Sequence, residues 1–485
     1  MNFKNKKITI MGLGLHGGGL GIAKWLAEQG AILTVTDLKT KKELAVSLKK
    51  LKKFKRIKYI LGRHQAGDFQ KADLIIKNPG IFNNSPYLTA AQQAGVPIET
   101  DIGLFFNFCP APIIGITGTR GKSTTTALIG EMFKAIDRKT MVAGNIRRSP
   151  FDNLKKLTAR TPVVLELSSW QLEGLKSVKK SPHLAIITNV MKDHLNRYAG
   201  MKGYIAAKKL IFQYQNPKDF AILNKNNKIT AQLGKTITAR RYWFSKKYFT
   251  EENGSFVRNG QIFFRQYGKE SPIIKVADLF LKGEHNLENV LAAVTAAKIC
   301  NLPQSKIIKA LKSFKGLPDR QELIAVKKGI SYYNDTTATT PDGVMAALKL
   351  LGPPAGGKKK MILIAGGTDK KLDFKDLGKM IPQKVKALVL LEGTATDKLL
   401  KKIEPRRRRG ETPHLTRCVG KKMLPIARVD SMASAVKTAN NFAVKGDIVL
   451  LSPGGASFGL FVNEFDRGEQ FRKEVLSFWR ERSDR

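Results

Sequence analysis

Cysteine is scarce in this chain. Its 485 residues hold three, Cys109, Cys300 and Cys418, far apart and odd in number, which argues against a disulfide framework. Long apolar runs are missing too: nothing approaches the ~18 residues needed to span a bilayer. The opening Met1-Asn2-Phe3-Lys4 runs straight into the strand-like Lys7–Met11, which predicts a chain without a signal peptide. These absences predict a soluble, cytoplasmic protein. Acidic residues are also in short supply, 39 against 85 Lys and Arg, for a net charge of +46. Such a surplus suits nucleic acid or an anionic membrane. The basic residues are nevertheless spread over the whole chain. Of the dense runs Lys39–Lys58, Lys358–Lys360 and Arg406–Arg409, only the first holds an aromatic residue, Phe54. Base stacking needs regular interleaving. The charge therefore reads as a solvated surface serving anionic small substrates, with no specific nucleic acid and no membrane as partner.

What is present is glycine placed where strands end. The length suggests about three domains at ~150 residues each, and 42% hydrophobic residues suffice for several cores. The most informative stretch is Gly115-Ile116-Thr117-Gly118-Thr119-Arg120-Gly121-Lys122-Ser123-Thr124, between the apolar run Ala111–Ile114 and a helix-like Ser123–Ile136. A strand, a glycine turn and a helix N-terminus present backbone N–H groups to phosphate. Lys122 can reach the terminal phosphates and Ser123 can place a hydroxyl on Mg²⁺. A strict Walker A motif would have glycine at 116, where this chain has Ile116.

Before that loop, Gly12-Leu13-Gly14-Leu15-His16-Gly17 follows strand Lys7–Met11 and precedes a helix over Gly21–Gln29. The next strand, Ile32–Thr36, ends in Asp37, twenty residues past Gly17. That is the place of a ribose-binding acid in a Rossmann unit. After the loop, Gly144-Asn145-Ile146 reads as a turn with one polar side chain. Thr161–Leu167 reads as a strand carrying Glu166 near its end, placed to ligate Mg²⁺. Asp193 and His194 follow the buried-type strand Ala185–Val190. In the helix-like Tyr204–Tyr214, Lys208 falls in the middle of the stripe Tyr204, Ile205, Ile211, Phe212. Periodicity alone favours a snorkelling lysine there; the other reading is a buried neutral amine able to take up CO₂. Lys225–Lys275 reads as polar strand and turn. Asn286 and Asn289, three apart, share a helix face that suits adenine or ribose.

Beyond the hinge Phe314–Arg320 the α/β alternation resumes. Strands over Gly329–Tyr333, Met361–Ala365, Ala387–Leu391 and Ile448–Leu451 end in Asn334-Asp335-Thr336-Thr337, Gly366-Gly367-Thr368-Asp369-Lys370, Glu392-Gly393 and Ser452-Pro453-Gly454-Gly455-Ala456-Ser457. Polar and glycine residues gathered at strand C-termini mark the ligand crevice of an open α/β sheet.

In this order the motifs resemble the Mur ligase family of peptidoglycan precursor synthesis, over the whole chain. The stretches that carry the likeness are Gly115–Thr124, Glu166-Leu167-Ser168-Ser169-Trp170-Gln171-Leu172, Asp193-His194-Leu195, Tyr204-x-x-Ala207-Lys208, Gly283-x-His285-Asn286-x-x-Asn289, Asn334-Asp335, Gly366-Gly367-x-x-Lys370 and Leu451-Ser452-Pro453-x-x-Ala456-Ser457. The second and last point to the branch that adds D-glutamate, and the Asp-Asn-Pro-Arg signature of the diaminopimelate- or lysine-adding branch is absent. The resemblance implies an α/β protein of three domains. Residues 1–110 would form a Rossmann-like domain for the UDP substrate, 111–316 a P-loop-type, mostly parallel ATPase domain, and 317–485 a Rossmann-like domain for the incoming amino acid.

It also implies roles. Gly14, Leu15, His16, Asp37 and Asn145 would hold UDP-N-acetylmuramoyl-L-alanine. Gly118, Thr119, Gly121, Lys122, Ser123, Thr124, Asn286, Asn289, Arg320 and Asp335 would hold ATP. Ser123 and Glu166 would ligate one Mg²⁺, and His194 with a carbamylated Lys208 a second. Lys122, Lys208 and His194 would be the catalytic residues, and Lys370 and Ser457 would hold D-glutamate. A monomer is expected. Four positions depart from the family pattern: Arg120 for Asn, Asp319 for His, Asn78 for Ser and Thr337 for Lys. The last removes a cation from the amino-acid domain and leaves open a ligase with another acceptor, such as L-glutamate. A folylpolyglutamate-type synthetase is opposed by the glycine turn at Gly12–Gly17. A nucleic-acid-dependent ATPase rests on the charge alone.

Overall fold

Three sheets, each built mainly of parallel strands, organise the chain. The computed structural model describes residues 1–14, 17–137, 139–146, 148–193, 197–353, 357–370, 372–403, 416–419 and 422–480. They form two compact units, Met1–Phe314, which holds two of the sheets, and Lys315–Arg485. Among the described residues no helix is long and apolar enough to cross a membrane.

The first sheet runs Ile57–Leu61, Ile32–Asp37, Lys7–Met11, Leu74–Lys77, Ile98–Thr100, all parallel. The central strand has neighbours on both sides and helices over its faces, so its residues Ile8, Ile10 and Met11 are buried without strict alternation. The following helix, Gly18–Glu28, begins three residues before the start read from sequence. Glycine is a poor helix former, so Gly18 and Gly19 give no helical signal of their own. This helix docks the first sheet on the second: Trp25 meets Phe151 with ring centroids 5.0 Å apart.

The central sheet has nine strands: Lys269–Lys275, Gln261–Gln266, Gly254–Arg258, Arg240–Ser245, Phe220–Asn224, Leu184–Ile187, Ile113–Thr117, Val163–Glu166, Met141–Gly144. The polar stretch 225–275 thus supplies four of them, the last two antiparallel. Ile113–Thr117 sits between Leu184–Ile187 and Val163–Glu166, parallel to both. Successive strands are added on opposite sides of it, which opens a crevice beyond its C-terminal end. Register places Ile116 beside Glu166, and Gly144 beside Glu166 on the other side. One apolar core fills the space between the first and central sheets, and a second covers the far face of the central sheet under helices Lys122–Lys134 and Glu284–Ile299.

The second unit is a seven-stranded sheet in the order Glu322–Lys327, Ile330–Asn334, Ile448–Gly454, Met361–Gly366, Val385–Leu391, Lys422–Val429, Thr416–Val419. Its five inner strands are parallel and the two edges antiparallel. Separate apolar cores cover its two faces.

Candidate active site

The phosphate-type loop lies in the central crevice. Strand Ile113–Thr117 feeds it, and helix Lys122–Lys134 leaves it from a left-handed Gly121 (φ 83°). Side chains are excluded at two of its glycines. A Cβ on Gly118 would lie 1.8 Å from Thr188 Oγ1, and one on Gly121 would lie 2.1 Å from Asn289 Oδ1. The next strand's exit fixes the loop's course. Thr188 Oγ1 donates to the Arg120 carbonyl at 2.6 Å, and Asn189 Oδ1 accepts the Arg120 N–H at 2.9 Å. Thr119 Oγ1 accepts the Met191 N–H at 2.9 Å. Residue 120 is therefore held by its backbone, and its exposed side chain is not part of that clamp. Lys122 folds over the turn, its ammonium donating to the carbonyls of Gly118 at 3.0 Å and Thr119 at 3.1 Å.

Glu166 faces the same crevice from the neighbouring strand and is 1% exposed. Its Oε1 accepts from Asn145 Nδ2 at 2.8 Å, while the buried Oε2 has no hydrogen-bond partner. A buried carboxylate oxygen without a donor is costly unless a cation faces it. The donor set is hard oxygen: this carboxylate and the hydroxyl of Ser123, the second residue of the helix. No group of three or more His, Cys, Asp and Glu gathers to hold a metal among the described residues. Few protein ligands, with water and substrate phosphate completing the shell, is how Mg²⁺ is bound. The residues fit one such ion. Asn145, expected at the substrate, here orients the carboxylate.

Lys208 does not snorkel. Helix Gly200–Lys209 turns it inward, it is 1% exposed, and its Nζ donates to the Gly118 carbonyl at 2.8 Å. The Tyr204 ring centroid is 4.7 Å from Nζ, and the Tyr204 hydroxyl meets Thr119 Oγ1 at 3.2 Å. Burial lowers the Lys208 pKa well below the ordinary lysine value; Lys122 lowers it further and Asp193 opposes the shift. The periodicity argument failed because the stripe faces the crevice floor rather than solvent. His194, expected beside this amine, lies outside the described residues, as do Leu15 and His16.

Asn286 and Asn289 do share a face, with Asn289 Nδ2 donating to Asn286 Oδ1 at 3.4 Å. Both are buried, and Asn289 packs behind Gly121 and accepts from Thr125 Oγ1 at 3.5 Å. In this arrangement Asn289 supports the loop from behind. In the first sheet Asp37 Oδ2 accepts the Gly14 N–H at 3.0 Å, so the acid read from the twenty-residue spacing braces the glycine turn. Asn78 braces the same turn from the other side, with Nδ2 to the Gly12 carbonyl at 3.4 Å.

In the second unit the polar strand ends converge. Asp335 is buried, with its carboxylate accepting from Ser452 Oγ at 2.8 Å and from the Gln321 N–H at 3.2 Å. Burial is the main cause that raises its pKa to about 7. Arg320 is exposed nearby in sequence. Asp319 accepts from Asn334 Nδ2 at 2.7 Å and faces Arg472 at 3.6 Å, a structural pairing at the position where the family pattern has His. Lys370 Nζ donates to Thr339 Oγ1 at 3.0 Å, and Ser457 is buried. Sequence reading missed Arg467. It is fully buried and donates to Thr336 Oγ1 at 3.0 Å, the Thr336 carbonyl at 2.9 Å and the Gly455 carbonyl at 3.3 Å. It thereby ties two of the polar loops together. Only its place after the Ser457 loop could have signalled it.

A cavity of about 1240 Å³ lies elsewhere, lined by Ile113, Met141, Pro162, His183 and Phe220 among others. Those residues start the strands of the central sheet, so this cavity is at the opposite end from the phosphate loop. The chemistry-bearing side chains are in the loop crevice.

Comparison with known proteins agrees with this arrangement. Residues 6–100 match the model of the Mur ligase MurD-like N-terminal domain, 116–297 the Mur ligase middle domain, and 319–455 the Mur ligase glutamate ligase domain. The UDP-N-acetylmuramoylalanine–D-glutamate ligase of Roseiflexus sp. is 41% identical over 487 residues, 99% of this chain and 100% of the relative. That of Acetivibrio thermocellus is 36% identical, covering 98% of this chain and 97% of the relative. Among solved structures, the UDP-N-acetylmuramate-alanine ligase of Thermotoga maritima superposes with a TM-score of 0.62 at 19% identity, covering 98% of this chain and 100% of that one. A MurF ligase of Thermotoga maritima in complex with ADP gives 0.55 at 14%, covering 98% and 96%. With a phosphate loop, a buried acid and an inward lysine in one crevice, and matching models over all three sheets, the chain belongs to the Mur ligase family.

Proposed function

We propose that this protein is the ATP-dependent ligase that joins D-glutamate to UDP-N-acetylmuramoyl-L-alanine in peptidoglycan precursor synthesis. The observation that carries the reading is the 41% identity, end to end, with a relative of that name, on a chain whose phosphate loop and buried acid suit the chemistry. A carboxylate is a poor electrophile. Its attack on the γ-phosphate of ATP, with ADP leaving, gives an acyl phosphate; the D-glutamate amine then attacks the carbonyl carbon and expels phosphate. Lys122 and the loop N–H groups bind the phosphates and offset charge on the transferring group. Glu166 and Ser123 would hold Mg²⁺, which when bound neutralises phosphate oxygens. Asn145 keeps the Glu166 carboxylate in one orientation.

Lys208 is read as a carbamate: the neutral amine attacks CO₂, an N–C bond forms and a proton leaves the nitrogen. His194 would stand with it at a second Mg²⁺. Gly14, Leu15, His16 and Asp37 are assigned to the UDP substrate. Gly118, Thr119, Gly121, Thr124, Asn286, Asn289, Arg320 and Asp335 are assigned to ATP, and Lys370 and Ser457 to D-glutamate. The domains are placed at 1–110, 111–316 and 317–485, in a cytoplasmic monomer. The test is ADP release with UDP-N-acetylmuramoyl-L-alanine, ATP and each glutamate enantiomer in turn. Release that requires the UDP substrate and prefers D-glutamate is expected. Release indifferent to the UDP substrate, or stimulated by RNA or DNA, overturns the reading.

A further inference from the structure

The central crevice and the first sheet's glycine turn are joined by one side chain that neither site explains. Arg197 follows the Leu184–Ile187 strand's exit, and its side chain is 6% exposed. Its two terminal nitrogens reach into the first sheet's loop: Nη1 donates to the Gly80 carbonyl at 3.0 Å and Nη2 to the Pro79 carbonyl at 2.9 Å. Two aromatic rings flank the guanidinium. Phe82 of the first sheet's loop has its centroid 4.9 Å away, and Trp170, just after Glu166, has its centroid 4.7 Å away. Glu173 Oε2 accepts a weaker contact at 3.4 Å.

The loop so gripped is the one that braces the glycine turn. Asn78 Oδ1 accepts the Gly80 N–H at 3.0 Å, and its Nδ2 donates to the Gly12 carbonyl. At the other end, the segment that carries Arg197 begins with Thr188 and Asn189, which hold Arg120 of the phosphate loop. Contacts therefore run from Arg197 through the Asn78–Gly80 turn to Gly12, and Arg197 follows the same strand exit whose Thr188 and Asn189 hold the phosphate loop. Simple adhesion between sheets would be met by apolar contact, as at Trp25 and Phe151. A planar fork on two consecutive carbonyls fixes a distance and an angle as well.

We propose that Arg197 is a positioning residue, which sets the register between the UDP-side glycine turn and the reaction crevice. It acts through the Asn78–Gly80 turn and touches no substrate. This rests on the function proposed above: a substrate held at one end by the first sheet must present its carboxylate to a phosphate held by the second, so an error in register is an error in the attack distance. Lysine at 197 keeps the charge but cannot make the fork or the double stack.

The test is steady-state kinetics and calorimetric binding of UDP-N-acetylmuramoyl-L-alanine for the wild type, Arg197→Lys and Phe82→Leu. Losing one charge-assisted contact of this kind should raise Kd and KM for the UDP substrate about 10-fold or more. Misregister should lower kcat by a further ~10-fold or more. The KM for ATP should stay within about 2-fold, since the phosphate loop keeps its own clamps. Phe82, which is 54% exposed, should give a smaller change in the same direction, and it carries the test if Arg197→Lys does not fold. A fall in melting temperature with unchanged kinetics, or equal rises in both KM values, overturns the proposal. The calorimetric arm reads the latch without turnover, and wild-type turnover with D-glutamate reads the underlying function separately.

Discussion

Lys208 and Lys122 share an acceptor: the Gly118 carbonyl takes Nζ of the first at 2.8 Å and Nζ of the second at 3.0 Å. Two ammonium groups so close repel in a low-dielectric site, and the buried one yields its proton first. A neutral Lys208 is a nucleophile for CO₂, and the proposed carbamate would reverse its sign and supply the oxygen that Mg²⁺ prefers. Lys208→Ala should therefore be nearly inactive and partly restored by acetate or formate in the medium. Lys208→Arg, a permanent cation in the same space, should be inactive and beyond rescue. Full activity in Lys208→Arg, or no carbon signal at Nζ after equilibration with ¹³C-bicarbonate, would remove the carbamate.

Asn145 should act on metal affinity through Glu166. Its amide holds Oε1 at 2.8 Å while Oε2 stays unpartnered. Losing such an outer partner weakens metal binding by roughly 10- to 100-fold. Asn145→Ala should shift the Mg²⁺ dependence of turnover upward by that order and leave the folded state intact. An unchanged Mg²⁺ titration with a higher KM for the UDP substrate would place Asn145 at the substrate alone.

Asp335 makes the second unit sensitive to pH. Its folded pKa is about 7 against an ordinary 3.8. A raised carboxyl pKa means that the native state holds the proton longer than the unfolded chain. The associated stability is complete below about pH 4 and is lost as pH rises through 7. The difference corresponds to a few kcal/mol at most. Amide protection factors in the Ile448–Gly454 strand should be lower at pH 8 than at pH 5. Asp335→Asn should flatten that difference, and an equally steep profile in the variant would assign it to other groups.

How much of this was legible in the sequence depends on whether a residue's role is local. Gly118, Gly121 and Lys122 sit within one turn, and strand, glycine and helix N-terminus are written consecutively. Glu166 was legible because a strand-end acid in a parallel sheet faces the same crevice as the loop. Lys208 was misjudged by periodicity because helical spacing gives a face and says nothing of what lies opposite. Arg197 and Arg467 were invisible as actors. Their partners are backbone carbonyls, which leave no trace in residue identity, and those of Pro79, Gly80 and Thr336 are also over a hundred residues away in the chain. Helix Gly18–Glu28 began earlier than read for the related reason that glycine carries no helical preference.

The choice of acceptor turns on Thr337. Where the family pattern has a lysine, this chain places a hydroxyl that donates to the Asp319 carbonyl at 2.9 Å, so the position is occupied structurally and supplies no charge. Among the described residues, Arg467 and Lys370 are cations of the second unit's strand-end cluster that could stand in for that lysine; Lys371, the other candidate, lies outside the described residues. Arg467 is sequestered by Thr336 and Gly455. Lys370, at Thr339 Oγ1, is on the surface of the cluster and can turn to a ligand. Lys370 should thus carry the carboxylate binding that a pair of lysines would otherwise share. Lys370→Ala should raise the KM for D-glutamate by about 10-fold or more, the worth of one charge-assisted hydrogen bond, with little change in the KM for ATP. Thr337→Lys should lower the KM for D-glutamate in the wild-type background and recover part of the loss in Lys370→Ala. An unchanged KM for D-glutamate in Lys370→Ala, or a wild-type preference for L-glutamate or an uncharged amino acid, would show that the acceptor is held by other residues or is a different molecule.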